Sequence, residues 1–359
     1  MTSPKRKTRV VKIGSVKIGG QNPIAIQSML TAKLSDLPAA KRQVRRLTQA
    51  GCEIFRVALP DPASLPNCAK LIQNFPQLPF VADIHFDHRL ALAAIEIGIA
   101  KIRINPGTLS SPANLKKVVR ACQKKQIPLR VGLNAGSLEK NLRGQTLVTK
   151  LVQSALRNVR AIEHLGYRNL VVSAKTSSVS TTIQIYRRLA NLFPYPLHLG
   201  ITEAGSARFG ILKSAVGLGS LLLDGIGATI RFSLTAKPET EVQAARDLLH
   251  ILKLRPRGIE VIACPTCGRT EVDLLKIVRE VEQACQQIKK DYKVAVMGCA
   301  VNGPGEARQA DFALVGGKQQ FGLFQNGKFC KSVSPLRAVK ELLNLIKNYP
   351  DSQNCLKPN

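Results

Sequence analysis

Hydrophobic positions in the first two thirds of the chain repeat one rhythm: a short β-rich apolar run, a polar loop, then an amphipathic helical stretch. A short alternating hairpin at 10–18 comes first. The runs that read as strands are 23–29, 52–59, 78–85, 100–105, 127–134, 169–175, 197–202 and 228–234. Helical spacing of apolar residues fills intervals such as 37–50, 89–98, 115–125, 152–165, 181–192 and 239–252, several ending at a glycine or just before a proline. Parallel neighbours need helical crossovers, and eight strands close on a filled core. The pattern therefore predicts a (β/α)8 TIM-type barrel over residues 1–254.

After the short basic linker Arg255-Pro256-Arg257-Gly258 the rhythm changes. Strand 259–263, a Cys-x-x-Cys turn, a long helix 272–288, strand 293–297, a glycine loop, strands 312–315 and 321–324 and a last helix 335–347 predict a small α+β domain over 255–359.

At 359 residues, the chain is long enough for both units to bury a core. Nine cysteines, an odd number, and a basic N-terminus with no apolar secretory run point to reduced thiols and a cytoplasmic protein. The best candidate for a membrane span, 214–230, is broken by Asp224 and glycines, so none is expected. A net charge of +30, from 53 basic against 23 acidic residues, raises nucleic acid as a partner. The basic residues are spread over helix faces, as in Lys41, Arg42, Arg45 and Arg46, with only 4% aromatics to stack on bases, so the charge reads as a generally basic surface with no nucleic-acid partner.

Chemistry in such a barrel belongs at the C-terminal ends of the strands. Polar residues stand there in nearly every unit: Gln27 and Ser28, Arg56, Asp83 and His85, Arg103 and Asn105, Arg130 and Asn134, Lys175, Thr202 and Glu203, Arg231 and Ser233. Arg56, Arg103, Arg130, Lys175 and Arg231 are cationic and come from five different strands, which implies an anionic ligand, a diphosphate by preference. Pairing of these arginines with Asp83, Asp87 or Glu53 is the plainer alternative. Lys175 alone would suit a Schiff-base aldolase, His85 a structural or ligating histidine, and Glu203 a proton-transfer group or a partner for Lys175.

In the last third, Cys264-Pro265-Thr266-Cys267 is answered by Gly298-Cys299-Ala300-Val301-Asn302-Gly303-Pro304-Gly305-Glu306. Three thiols and a hard carboxylate suit an iron–sulfur cluster with one exchangeable iron; a structural zinc or a redox dithiol remains open on residue types alone. The glycines are expected to form a tight loop close to a cofactor. Cys52, Cys68, Cys122, Cys285, Cys330 and Cys355 read as ordinary thiols.

Six blocks in order carry a family resemblance: Val81-Ala82-Asp83-Ile84-His85-Phe86-Asp87, Arg103-Ile104-Asn105-Pro106-Gly107, Asn134-Ala135-Gly136-Ser137-Leu138-Glu139-Lys140, Leu199-Gly200-Ile201-Thr202-Glu203-Ala204-Gly205, Ala263-Cys264-Pro265-Thr266-Cys267 and Val301-Asn302-Gly303-Pro304-Gly305-Glu306. Together they resemble the hydroxymethylbutenyl diphosphate synthases of the non-mevalonate isoprenoid pathway, two-domain bacterial type. The resemblance implies a TIM barrel followed by a ferredoxin-reductase-like domain. It implies one 4Fe-4S cluster on Cys264, Cys267, Cys299 and Glu306, and a substrate, 2-C-methyl-D-erythritol 2,4-cyclodiphosphate, opened and dehydrated with two electrons. Arg56, Arg103, Arg130, Lys175 and Arg231 would hold the diphosphate, with His85, Asn134, Thr202 and Ser233 nearby, Glu203 handling a proton and Asn302 reaching in from the cluster side. It further implies a homodimer, hinge motion around 255–258, and a flavodoxin or ferredoxin as electron donor. One departure stands out: after Ser28-Met29 the family shows Thr-Asn-Thr, and this chain has Leu30-Thr31-Ala32. The rivals are a barrel aldolase with a structural zinc, and a basic nucleic-acid-binding protein.

Overall fold

The alternating rhythm builds a ring. In the computed structural model, which describes residues 3–84, 87–105, 111–137, 146–255, 258–285, 288, 290–301 and 303–349, the chain divides into two compact units, Met1–Arg255 and Pro256–Asn359. The first opens with the antiparallel hairpin β1 (Val11–Ile13) and β2 (Val16–Ile18). Then follow β3 (Ala25–Met29), α1 (Leu37–Ala50), β4 (Ile54–Ala58), α2 (Leu65–Asn74), β5 (Phe80–Ile84), α3 (His88–Glu96), β6 (Lys101–Ile104) and α4 (Pro112–Lys125). The unit continues with β7 (Leu129–Asn134), α5 (Leu147–His164), β8 (Leu170–Lys175), α6 (Val179–Leu192), β9 (His198–Leu199), α7 (Ala207–Leu223), β10 (Thr229–Ile230) and α8 (Pro238–Ile251).

The strands pair in parallel in the order β8-β7-β6-β5-β4-β3-β10-β9, and a parallel bridge between Val172 and Leu197 closes β8 onto β9. Helix starts follow local chemistry: Asp36, Ser111, Thr146 and Ser178 each accept a backbone N–H of the following first turn. Two predicted strands, 197–202 and 228–234, are shorter than expected, with two residues of ladder each. The ladder of β9 stops at Gly200, where a Cβ would lie 2.4 Å from Lys175 Nζ and 2.8 Å from the Arg231 carbonyl oxygen. The cation fills the space that a side chain would occupy.

The apolar core lies outside the ring, between strands and helices, with residues such as Phe55, Ile84, Ile104, Val131, Val172 and Leu199. Inside the ring, only the floor is apolar. Val11, Ile13 and Ile18 of the hairpin pack on Ala25, Ile54, Val81, Val171 and Ala228 and plug that end. Above the plug the inward positions are polar, unlike the branched aliphatic layers that fill most barrels.

The second unit is a five-stranded sheet in the order β11-β12-β13-β14-β15. It runs β11 (Glu260–Ala263), α9 (Leu274–Cys285), β12 (Lys293–Met297), α10 (Gly303–Ala307), β13 (Phe312–Gly316), β14 (Phe321–Gln325), β15 (Lys328–Val333) and α11 (Ala338–Asn348). The first three strands are parallel and the last two antiparallel. One face of the sheet packs α9 and α11 through Leu274, Ile277, Val281, Leu342 and Ile346. Ala307 and Ala310 cover Ala295, Met297, Ala313 and Val315. The expected glycine loop is in part the short helix α10, and Gly303 explains why: a Cβ there would sit 2.3 Å from Val315 Cγ1. Its missing side chain lets a helix approach the sheet.

Candidate active site

The ring's interior is crowded with buried charge. Period two along each strand turns Arg56, Asp83, Lys101 with Arg103, Arg130, Lys175, His198 and Arg231 to the inside. Asp83 is the keystone: its Oδ2 lies 2.6 Å from Arg56 Nη2 and its Oδ1 accepts from Arg103 Nη1 at 3.1 Å. Arg103 Nη2 also donates to the Gly132 carbonyl at 3.0 Å, and a Cβ at Gly132 would fall 2.5 Å from Arg103 Nε. Arg231 lies 3.8 Å from Glu241, whose other oxygen accepts the Leu234 amide.

Of the acids expected to pair with the arginines, only Asp83 does so. Asp87 turns to Arg89, and Glu53 to Arg255 at the end of the unit. Arg130 has no carboxylate partner among the described residues, and its Nε and Nη1 have no hydrogen-bond acceptor. Among the described residues, six buried or nearly buried basic side chains, Arg56, Lys101, Arg103, Arg130, Lys175 and Arg231, thus face two carboxylates, Asp83 and Glu241. Burial, followed by the neighbouring arginines, holds Arg130 and Lys175 well below their ordinary basicity. Burial likewise keeps His198 neutral, its Nδ1 2.7 Å from Thr229 Oγ1 and its Nε2 without a partner. Glu241 is pushed up by burial, with Arg231 opposing.

Other expected residues ring the mouth. Asn105 is buried at the end of β6; Asn134, Thr202 and Ser233 are half-buried. The Thr202 amide donates to the Thr176 carbonyl, binding the β9 loop to β8. Glu203 is exposed, with no ion pair among the described residues, and its backbone is left-handed at φ 53°. A non-glycine residue held there is strained, a condition that clusters at functional sites. In the departing loop, Gln43 Oε1 accepts the Thr31 and Ala32 amides while its Nε2 donates to Thr31 Oγ1. His85 and Asn302 lie outside the described residues.

Sequence reasoning missed Lys101, His198 and Glu241. The first two lie two residues before Arg103 and Gly200 on the same inward face, so strand period alone pointed to them. Glu241 comes from the first turn of α8, for which the strand pattern holds no signal.

In the second unit two of the thiols stand at the C-terminal ends of adjacent strands. Cys264 follows β11 and Cys299 follows β12, its parallel neighbour. The Gly298 amide donates to Cys264 Sγ at 3.2 Å, and the Glu271 amide donates to the Gly298 carbonyl. The Cys267 amide donates to Thr270 Oγ1 at 3.1 Å, so the segment 264–271 is sewn over Gly298. Cys267 and Glu306 are exposed, Cys299 is buried, and Glu306 rides on α10 beside the same strands. Among the described residues no three His, Cys, Asp or Glu side chains stand together as a metal-ion group. A cubane cluster takes each ligand on a separate iron, so its donors need not converge on one point. Burial raises four further thiols, Cys52, Cys68 and Cys122 to about 12 and Cys285 to about 11, which leaves them inert. No helix among the described residues is long and apolar enough to cross a membrane.

Comparisons agree with this geometry. Residues 8–246 match the GcpE TIM-barrel domain and residues 260–348 the GcpE protein C-terminal domain. A 4-hydroxy-3-methylbut-2-en-1-yl diphosphate synthase (flavodoxin) of Caldanaerobacter subterraneus is 48% identical over 350 residues, covering 97% of this chain and 98% of the relative. One of the same name from Fusobacterium nucleatum is 46% identical over 344 residues, covering 95% and 97%. Among solved structures, dihydropteroate synthase from Stenotrophomonas maltophilia aligns with a TM-score of 0.53 at 13% identity, over 70% of this chain and 97% of its own, a likeness of barrel fold alone. By both of its domains and along nearly its whole length, the chain belongs to the GcpE family.

Proposed function

We propose that the chain is a 4-hydroxy-3-methylbut-2-en-1-yl diphosphate synthase that reductively opens and dehydrates 2-C-methyl-D-erythritol 2,4-cyclodiphosphate. The observation that carries this reading is the excess of buried basic side chains inside the barrel, six against two carboxylates among the described residues, with donors of Arg130 left unused. Unpaired charge in a dry interior is costly, and a diphosphate is the ligand that relieves it. Arg56, Arg103, Arg130, Lys175 and Arg231 bind its oxygens, while His85, Asn134, Thr202, Ser233 and Asn302 position the carbon skeleton. Glu203, exposed at the mouth on a strained turn, moves the proton needed for the departing hydroxyl to leave as water.

Cys264, Cys267, Cys299 and Glu306 hold a 4Fe-4S cluster, which when bound supplies electrons one at a time and one iron with a displaceable ligand. The donor set fits: three soft thiols, two of them following adjacent parallel strands, one carboxylate, and a backbone N–H already directed at Cys264 Sγ. Residues 1–254 serve substrate binding and 255–359 the cluster. Flavodoxin is the electron donor, as the relatives' names imply, with a ferredoxin as the alternative. The enzyme works in the cytoplasm as a homodimer, a state supported by the apolar stripe that α7 exposes at Phe209, Leu212 and Val216.

The test is anaerobic purification with iron and sulfide quantitation on the wild type and Cys299→Ser, followed by turnover of the cyclic diphosphate. We expect about four iron and four sulfide per chain, lost in the variant, and product formation only by the loaded wild type. Stoichiometric zinc without sulfide would sink the reading.

A further inference from the structure

We propose that Lys101 is a further member of the anion site and that the barrel takes up a proton on its Nζ when the substrate's diphosphate enters; this rests on the reading of the barrel as the cyclic diphosphate's site. Lys101 is wholly buried on β6, one inward position below Arg103, and its Nζ has no hydrogen-bond partner among the described residues. The titratable and charged groups that face the same interior are Arg56 from β4, Asp83 from β5, Arg103 from β6, Arg130 from β7, Lys175 from β8 and His198 from β9. Arg231 beyond β10 completes the ring, Glu241 meets Arg231 from α8, and Tyr186 of α6 packs on the outer side of the strands with its hydroxyl donating to the His198 carbonyl.

Among the described residues no acid is left over for Lys101. Asp83 is shared by Arg56 and Arg103, and Glu241 by Arg231 and the Leu234 amide. Burial, then Arg130 and Arg56, therefore favour the neutral amine in the empty barrel. A bound cyclic diphosphate adds negative charge beside Arg130 and reverses that balance. A proton then passes from solvent to Nζ, with no bond broken in the substrate and nothing oxidised. Lys175 stands in the same environment, so the variant isolates the share that belongs to Lys101.

Because binding takes up a proton, affinity rises as pH falls across the range in which the amine of the free protein is neutral. The experiment is calorimetric titration of the oxidised, cluster-loaded enzyme with the cyclic diphosphate, without an electron donor, in buffers of different ionisation enthalpy. The ligand's phosphates are strongly acidic and do not themselves titrate near neutral pH. The wild type is expected to take up at least one proton. Lys101→Met should take up about one fewer, bind about tenfold to a hundredfold more weakly, and melt no lower than the wild type without ligand, since it removes an uncompensated polar group. Equal uptake by the two proteins, or a lower melting point with unchanged affinity, overturns the proposal. A wild type that fails to bind the cyclic diphosphate at all overturns the reading of the barrel instead.

Discussion

Asp83 shows how much one residue settles inside this barrel. It is the carboxylate between two buried arginines, with side chains 10% and 2% exposed, and it keeps them apart and oriented. Replacing it removes charge from the side of the balance that has least. Asp83→Asn should destabilise the barrel by about 3 to 5 kcal/mol, read as a lower midpoint in denaturant unfolding, and added diphosphate should recover part of the loss. An unchanged midpoint would show that solvent already screens the arginines. The cations were legible in the sequence because a charged residue within an apolar strand is conspicuous. Their partners were not, because Asp83, Asp87 and Glu53 look equally eligible along the chain and only the in-register pairing of β4, β5 and β6 brings Asp83 to Arg56 and Arg103.

At the scale of elements, the periodic helices and most barrel strands followed from spacing alone. Two of those that did not announce themselves have clear physical reasons. α7 is apolar on nearly every side, with Phe209, Leu212 and Val216 exposed, so no polar face marks its period. β15 is an edge strand of mostly exposed residues, Lys328–Val333, without an alternating apolar face. The glycines around Glu306 suggested a loop near a cofactor, whereas Gly303 serves close packing of α10 on β13. Gly303→Ala should therefore cost about 1 to 3 kcal/mol through overpacking against Val315 and displace α10 together with Glu306. Iron release on exposure to a chelator would be faster in the variant; an unaltered release rate would separate Glu306 from the helix that carries it.

For the whole molecule, the charge of +30 bears on encounter more than on fold. If an acidic flavodoxin delivers the electrons, kcat/KM for that donor should fall about tenfold or more as salt is raised from low ionic strength, while the rate with a small chemical reductant stays nearly constant. Equal salt dependence of the two would remove steering as the role of the charge. The sequence by itself determined the barrel, the mixed-sheet unit and the cationic strand positions, because strand and helix periods and residue types are local properties. Tertiary structure alone decided which acid meets which arginine, that Lys101, His198 and Glu241 share the same interior, and that Gly132 and Gly200 make room for cations. Those facts depend on atoms far apart along the chain, brought together only when neighbouring strands pair in register and the helices pack against them.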